Sequence, residues 1–185
     1  MLSPYLEVDL TRAWDSHLVA TDASSVFGFG VAVAGCASEL AKEIGRFADK
    51  SGTLVRLQRD DCFAESLKPR EGKVLKIPLS KSAFHTVICS RAQCKAHSGT
   101  LEAHALLLGL KWVLRAPSRH GKRIPFLVDA KAVLGAAAKG RSSAPTLRNE
   151  IRRIGAHVLA GNLLLKLVYV PSEDNPEDAP SRGVV

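Results

Sequence analysis

Four carboxylates in this 185-residue chain stand where metal-assisted hydrolysis could use them: Asp22, Glu102, Asp129 and Asp178. Asp22 falls in an apolar run that reads as the first strand. Glu102 falls in the first turn of a long helical pattern, and Asp129 ends a compact apolar strand. Asp178 begins or precedes a short terminal helix. Open α/β sheets gather functional groups at the carboxyl ends of strands and at adjoining helix ends. Carboxylates brought together repel unless a cation neutralises them, and hard oxygen donors select Mg²⁺ or Mn²⁺. Two such ions about 4 Å apart can activate water and stabilise the leaving oxygen of a phosphodiester. Taken singly, each residue has a plainer reading, with Glu102 as a helix cap and Asp178 as a turn former.

The elements that must carry these residues follow from periodicity. His17 to Ala20, running on to Thr21-Asp22-Ala23-Ser24-Ser25, and Phe27 to Ala34 read as an antiparallel hairpin. Residues 38–50 have a helical stripe of Leu40, Ile44 and Phe47, and Thr53–Leu57 and Val74–Leu79 read as short strands. Ser98–Arg115 is the clearest helix, with Leu101, Ala105, Leu108 and Trp112 aligned and Ser98 or Thr100 available as N-cap. Strand Arg123–Val128, helix Ala130–Lys139, helix Thr146–Ala160 and strand Leu163–Val170 follow. The tail Ser172–Arg182 reads as a loop and one short helix. Early strands followed by βα alternation imply a mixed sheet flanked by helices. The length fits one domain, 1–185, with residues 1–16 as a leader and about 38–96 as an elaborated insert with short strands.

Charge points to a polyanionic partner. The chain carries a formal +8, and the stretch 111–153 alone carries +9. Its basic residues are Lys111, Arg115, Arg119, Lys122, Arg123, Lys131, Lys139, Arg141, Arg148, Arg152 and Arg153, opposed only by Asp129 and Glu150. Such a block is a nucleic-acid footprint or a solvated helical surface. With 5% aromatic residues, base stacking on aromatic platforms is disfavoured as the main mode of binding. A composition of 46% hydrophobic and 24% charged residues excludes wholesale disorder. The first ten residues lack the apolar core of a secretory signal, and no apolar run approaches a membrane span. Cysteines 36, 62, 89 and 94 lack the spacing of a disulfide scaffold. Cys89, Cys94 and His97 raise zinc, yet no C-x₂-C pair accompanies them. The expectation is an intracellular protein, cytoplasmic or nuclear and not secreted, with reduced cysteines.

Four motifs in order resemble the ribonuclease H domain of retrotransposon reverse transcriptases, of the gypsy-like and DIRS-like kind. Thr21-Asp22-Ala23-Ser24 with its glycine-bearing hairpin is similar to the family's opening. Glu102 and Ala105 match its E-x-x-A helix, and Phe126-Leu127-Val128-Asp129 its strand ending in an acid. The most specific match is Tyr169-Val170-Pro171-Ser172-Glu173-Asp174-Asn175-Pro176-Glu177-Asp178-Ala179-Pro180-Ser181-Arg182. The resemblance covers about residues 17–36 and 97–182. It implies a ribonuclease-H-like five-stranded mixed sheet and Mg²⁺ (or Mn²⁺) held by Asp22, Glu102, Asp129 and Asp178. It further implies hydrolysis of the RNA strand of an RNA–DNA hybrid, leaving a 3′-hydroxyl and a 5′-phosphate, during retroelement reverse transcription. The partners implied are the hybrid, gripped at its phosphates by the basic stretch, and a polymerase domain in the same polyprotein.

The chain departs from the family pattern at three places. Ala130 follows the third acid where many relatives have Asn or Ser. Glu177 replaces Ala before Asp178. The His that cellular relatives carry before the last acid has no counterpart, Glu173 and Asp174 standing in its loop; His97 and His104 flank Glu102. These departures keep open a degenerate module that binds nucleic acid without cutting. A DDE-type integrase or transposase, using Asp22, Asp129 and Glu173, fits less well. A four-carboxylate 3′→5′ exonuclease lacks its second acid after Asp22.

Overall fold

The computed structural model describes residues 9, 11–48, 54–58, 74–93 and 96–184. In chain order the elements are β1 (His17–Ala23), β2 (Gly28–Gly35), α1 (Ser38–Gly45), β3 (Leu54–Gln58), β4 (Val74–Ser80) and β5 (His85–Arg91). They continue with α2 (Ser98–Leu114), β6 (Arg123–Val128), α3 (Lys131–Lys139), α4 (Pro145–Ala160), β7 (Leu164–Tyr169) and α5 (Asp178–Ser181). The fold is α/β, with a five-stranded mixed sheet in the order β5-β2-β1-β6-β7 flanked by helices. This is consistent with the ribonuclease-H-like sheet that the resemblance implied. β2 pairs antiparallel with both β1 and β5, whereas β6 runs parallel to both β1 and β7.

Strand alternation divides the core between the two faces of the sheet. Val19, Val31, Phe126 and Val128 pack with Leu106 and Leu110 of α2 and with Ile151 and Ile154 of α4. The intervening Leu18, Ala20, Ala32, Leu127 and Val168 pack with Ile44 of α1 and with Val55, Leu57 and Ile77 of β3 and β4. Central parallel strands covered on both faces read as continuous apolar runs, and Ile124 to Val128 is buried throughout.

The helix α2 is buried around much of its circumference. Leu101 and Ala105 pack with Phe29, while Ala103, Leu106, Leu107, Leu110 and Val113 join the larger cluster. The stripe expected through Leu101, Ala105, Leu108 and Trp112 therefore marks only one of its packed sides; Leu108 and Trp112 are partly buried. Its N-cap is His97, whose side chain accepts the Gly99 N–H at 3.2 Å, in place of Ser98 or Thr100. At Gly109 an added Cβ would fall 2.8 Å from Phe126 Cε1 and 3.0 Å from Thr21 Cγ2. That absence of side chain lets α2 lie close against β1 and β6.

The 38–96 stretch is more than an attachment. β5 lies within it and forms an edge of the central sheet, while β3 and β4 make a separate two-stranded parallel ribbon. Described residues of the first helix stop at Gly45, followed by a turn through Ala48; residues 49–53, which include the end of the expected helix, lie outside the described set, as do Cys62 and Cys94. Among the described residues, no helix is long and apolar enough to cross a membrane.

Candidate metal centre

Asp22, Glu102 and Asp129 each offer a carboxylate oxygen, and these oxygens all lie within 4.8 Å of one another. The placement follows from the packing of the sheet. β1 and β6 are parallel, hydrogen-bonded neighbours with Thr21 opposite Val128, so Asp22 and Asp129 each follow the last paired residue at the same end of the sheet. Glu102, which opens the second turn of α2 rather than lying in the first as the sequence pattern predicts, is brought to the same end because that helix packs on β1.

Burial and like-charge repulsion disfavour the charged forms of Glu102 and Asp22. Burial raises Glu102 to about 9, with Asp22 and Asp129 adding like charge and an Ala23 backbone hydrogen bond opposing. Asp22 rises to about 6, chiefly through burial and with further repulsion from Asp129 and Asp178, against the lowering effect of the Ser181 hydrogen bond. One oxygen of Glu102, Oε2, is buried without a hydrogen-bond partner. A buried polar atom of that kind costs about 1–3 kcal/mol unless something satisfies it. Clustered hard oxygens, one of them unsatisfied, fit a divalent cation, so the acidic triad could hold a metal ion. Beside it opens a cleft of about 290 Å³, lined by His97, Gly99, Glu102, Asp129, Lys131 and Ser172 among others.

Asp178 stands outside this triad. Its Oδ1 meets Arg182 Nη2 at 2.7 Å, one helical turn on, and its side chain is 38% exposed. Glu173 also stands apart, half exposed and 3.4 Å from Arg56 Nη1. The neighbouring Glu177 is fully buried. Thr86 Oγ1 donates to its Oε1 at 3.1 Å, while Oε2 has no partner and lies where a Cβ on Gly30 would come within 2.3 Å. Burial raises Glu177 to about 8. The Ala-to-Glu departure is thus accommodated by a glycine on the facing strand.

Both flanking histidines have partners within the fold, and His97 also lines the cleft. His97 caps α2, and His104 lies 3.3 Å from Glu150 Oε2 with its ring against Phe29. Cys89 donates to the Pro180 carbonyl at 3.3 Å.

The eleven basic residues separate into two groups. Lys111, Arg115, Lys131, Lys139, Arg141, Arg148, Arg152 and Arg153 are exposed. Arg119, Lys122 and Arg123 are half-buried: Arg119 stacks 3.9 Å over Trp112, Lys122 lies 3.6 Å from buried Asp15, and Arg123 lies over Trp14. Lys131 sits at the cleft with its ammonium 4.7 Å from the centre of the Tyr169 ring.

Several residues that hold the site together had no distinct signal beforehand. Ser181 donates to Asp22 Oδ2 at 2.5 Å, and Asn175 donates through Nδ2 to the Thr21 carbonyl at 3.1 Å. Arg56 reaches buried Asp174 from β3 at 3.3 Å. Ser181 and Asn175 lie inside the terminal motif, which was the available pointer; Arg56 has no such marker. Comparison of the chain with protein-family models, with curated proteins and with solved structures returned no match.

Proposed function

We propose that this chain is a metal-dependent ribonuclease H, hydrolysing the RNA strand of RNA–DNA hybrids during retroelement reverse transcription. The observation that carries the reading is the convergence of Asp22, Glu102 and Asp129 from β1, α2 and β6 to within 4.8 Å, beside an open cleft. These three would hold Mg²⁺, or Mn²⁺ in its place. When bound, the metal would supply an activated water and offset the negative charge on the phosphoryl and leaving oxygens. The three side chains fix its place from separate, well-packed elements. Asp178 would join as a fourth carboxylate on parting from Arg182, an exposed pair of the kind that contributes about 0–1 kcal/mol.

Lys131 at the cleft and the exposed arginines of α4 would grip phosphates, which fixes register without reading sequence. Preference for the RNA strand would come from hybrid geometry and the 2′-hydroxyl. Because several phosphates are neutralised, hybrid affinity should fall steeply with salt; a flat dependence would remove the basic residues from this role.

The test is a strand-labelled hybrid incubated with Mg²⁺. Cutting of the RNA strand alone is expected, lost in folded Asp22→Asn and Glu102→Gln variants. The Asp178–Arg182 pair favours one other reading, a module that binds hybrid without cutting. Hybrid left intact after long incubation with Mg²⁺ or Mn²⁺ would select it, and strand transfer of DNA ends would point to an integrase instead.

A further inference from the structure

The helix α5 has four residues, Asp178 to Ser181, and is too short to be held by its own hydrogen bonds. Polar ties fix its surroundings instead. Asn175 Nδ2 bonds the Thr21 carbonyl, Thr86 bonds Glu177, and Cys89 bonds the Pro180 carbonyl. The last tie goes to the acidic triad itself. Ser181 Oγ lies 2.5 Å from Asp22 Oδ2, with Ser181 wholly buried and Asp22 only 5% exposed.

A hydroxyl has one proton to give. Ser181 has two acceptors in reach, Asp22 Oδ2 at 2.5 Å and the Asp178 carbonyl at 3.1 Å. The shorter bond to the carboxylate is charge-assisted and takes the proton. The backbone reinforces the position, since Ser181 N donates to the Glu177 carbonyl at 2.9 Å. Gly30, the register partner of Asp22, presents no side chain here; a Cβ on it would come within 3.1 Å of Ser181 N.

We infer that Ser181 is a positioning residue: its hydroxyl holds one oxygen of Asp22 and so fixes the orientation in which Asp22, Glu102 and Asp129 surround a divalent cation. This rests on the metal reading of the triad and extends it to a residue that touches neither ion nor substrate. Partners that orient metal ligands typically govern affinity through the ligand they hold. The same bond ties α5, and with it Asp178, to β1.

The experiment is Mn²⁺ titration of the full chain, with free Mn²⁺ read by electron paramagnetic resonance and folding checked by circular dichroism and urea midpoint. Ser181→Ala should weaken Mn²⁺ binding by about 10–100-fold while the chain stays folded. Ser181→Cys keeps the shape of the side chain with a slightly larger, poorly donating atom, so it should weaken binding in the same way and keeps the test intact if the alanine variant unfolds. Ser181→Thr retains the hydroxyl and should restore affinity. Alanine and cysteine variants that bind Mn²⁺ within about twofold of the parent would overturn the inference, as would a parent that takes up no Mn²⁺. Hybrid cleavage measured on the same samples separates the two ideas. A parent that binds Mn²⁺, loses affinity on Ser181→Ala and yet leaves hybrid uncut keeps Ser181 in its role and sinks the ribonuclease reading alone.

Discussion

The triad and the C-terminal turn lie side by side but are held by different forces. Asp22, Glu102 and Asp129 stand on or beside β1, α2 and β6, whose neighbours Ala20, Ala103 and Val128 are completely buried. Apolar packing, summed over many contacts, sets their spacing. Asp178 stands on a four-residue helix anchored by single hydrogen bonds from Ser181, Asn175 and Thr86, and its own carboxylate faces Arg182. A core-built arrangement is pre-formed and stiff. One held by a few directional bonds can be adjusted by one residue, and Glu177 lies in this region.

The largest expected effect separates the two regions directly. Asp22→Asn, Glu102→Gln and Asp129→Asn should each lower hybrid turnover by well over about 100-fold, whereas Asp178→Asn, at a carboxylate that must first part from Arg182, should lower it by about 10–100-fold. Equal losses at all four positions would erase the distinction. Next comes stability. Leu106→Ala, on the buried side of α2, should cost about 2–5 kcal/mol by urea unfolding. Thr86→Val, which removes the partner of Glu177, should cost about 1–3 kcal/mol. Loss of this tie to the turn at a cost equal to that of the core substitution would show that the turn is not the weaker region.

The pH dependence follows from the raised carboxyl groups, Glu102 at about 9, Glu177 at about 8 and Asp22 at about 6, all lifted first by burial. Their folded values exceed the unfolded ones, so the folded chain holds protons that the unfolded chain has released. This contribution is complete below about pH 4 and is lost as pH rises toward about 9. Without metal, the urea midpoint should therefore fall between pH 5 and 9. Mg²⁺ should flatten that fall, because it requires the charged forms, and Glu102→Gln should reduce both the fall and the flattening. A metal-free midpoint that climbs with pH would contradict the burial of the triad. The smallest effect concerns the brace from the β3–β4 ribbon. Arg56→Ala should cost on the order of 1 kcal/mol, the partly exposed guanidinium being screened by water.

Much of the fold was legible because its elements obey simple periods. The β1–β2 hairpin, α2, β6, α3, α4 and β7 fall within a residue or two of the expected bounds. β5 was not legible: His85-Thr86-Val87 is exposed in an edge strand, so no buried alternation marks it. Local pattern marks β3 and β4 as two strands, but their parallel pairing joins residues far apart in the chain and leaves no local trace. In the site, the acids at 22, 102 and 129 could be named from strand ends and a helix start. The turning of Asp178 to Arg182 could not, since Asp178 keeps the same motif position whichever partner its carboxylate takes.

Residue order alone determined which side chains could serve as hard ligands, where the basic excess lies, and that the chain would form a mixed α/β sheet. Those properties depend on side-chain type and on neighbours a few positions away. Tertiary structure decided that three carboxylates meet and the fourth pairs with Arg182. It also decided that Glu177 is buried over Gly30 and that Ser181 bonds Asp22 across 159 positions of sequence. These are matters of distance and dielectric, which arise only when α2 closes on β1 and β6 and the terminal turn folds back over β2.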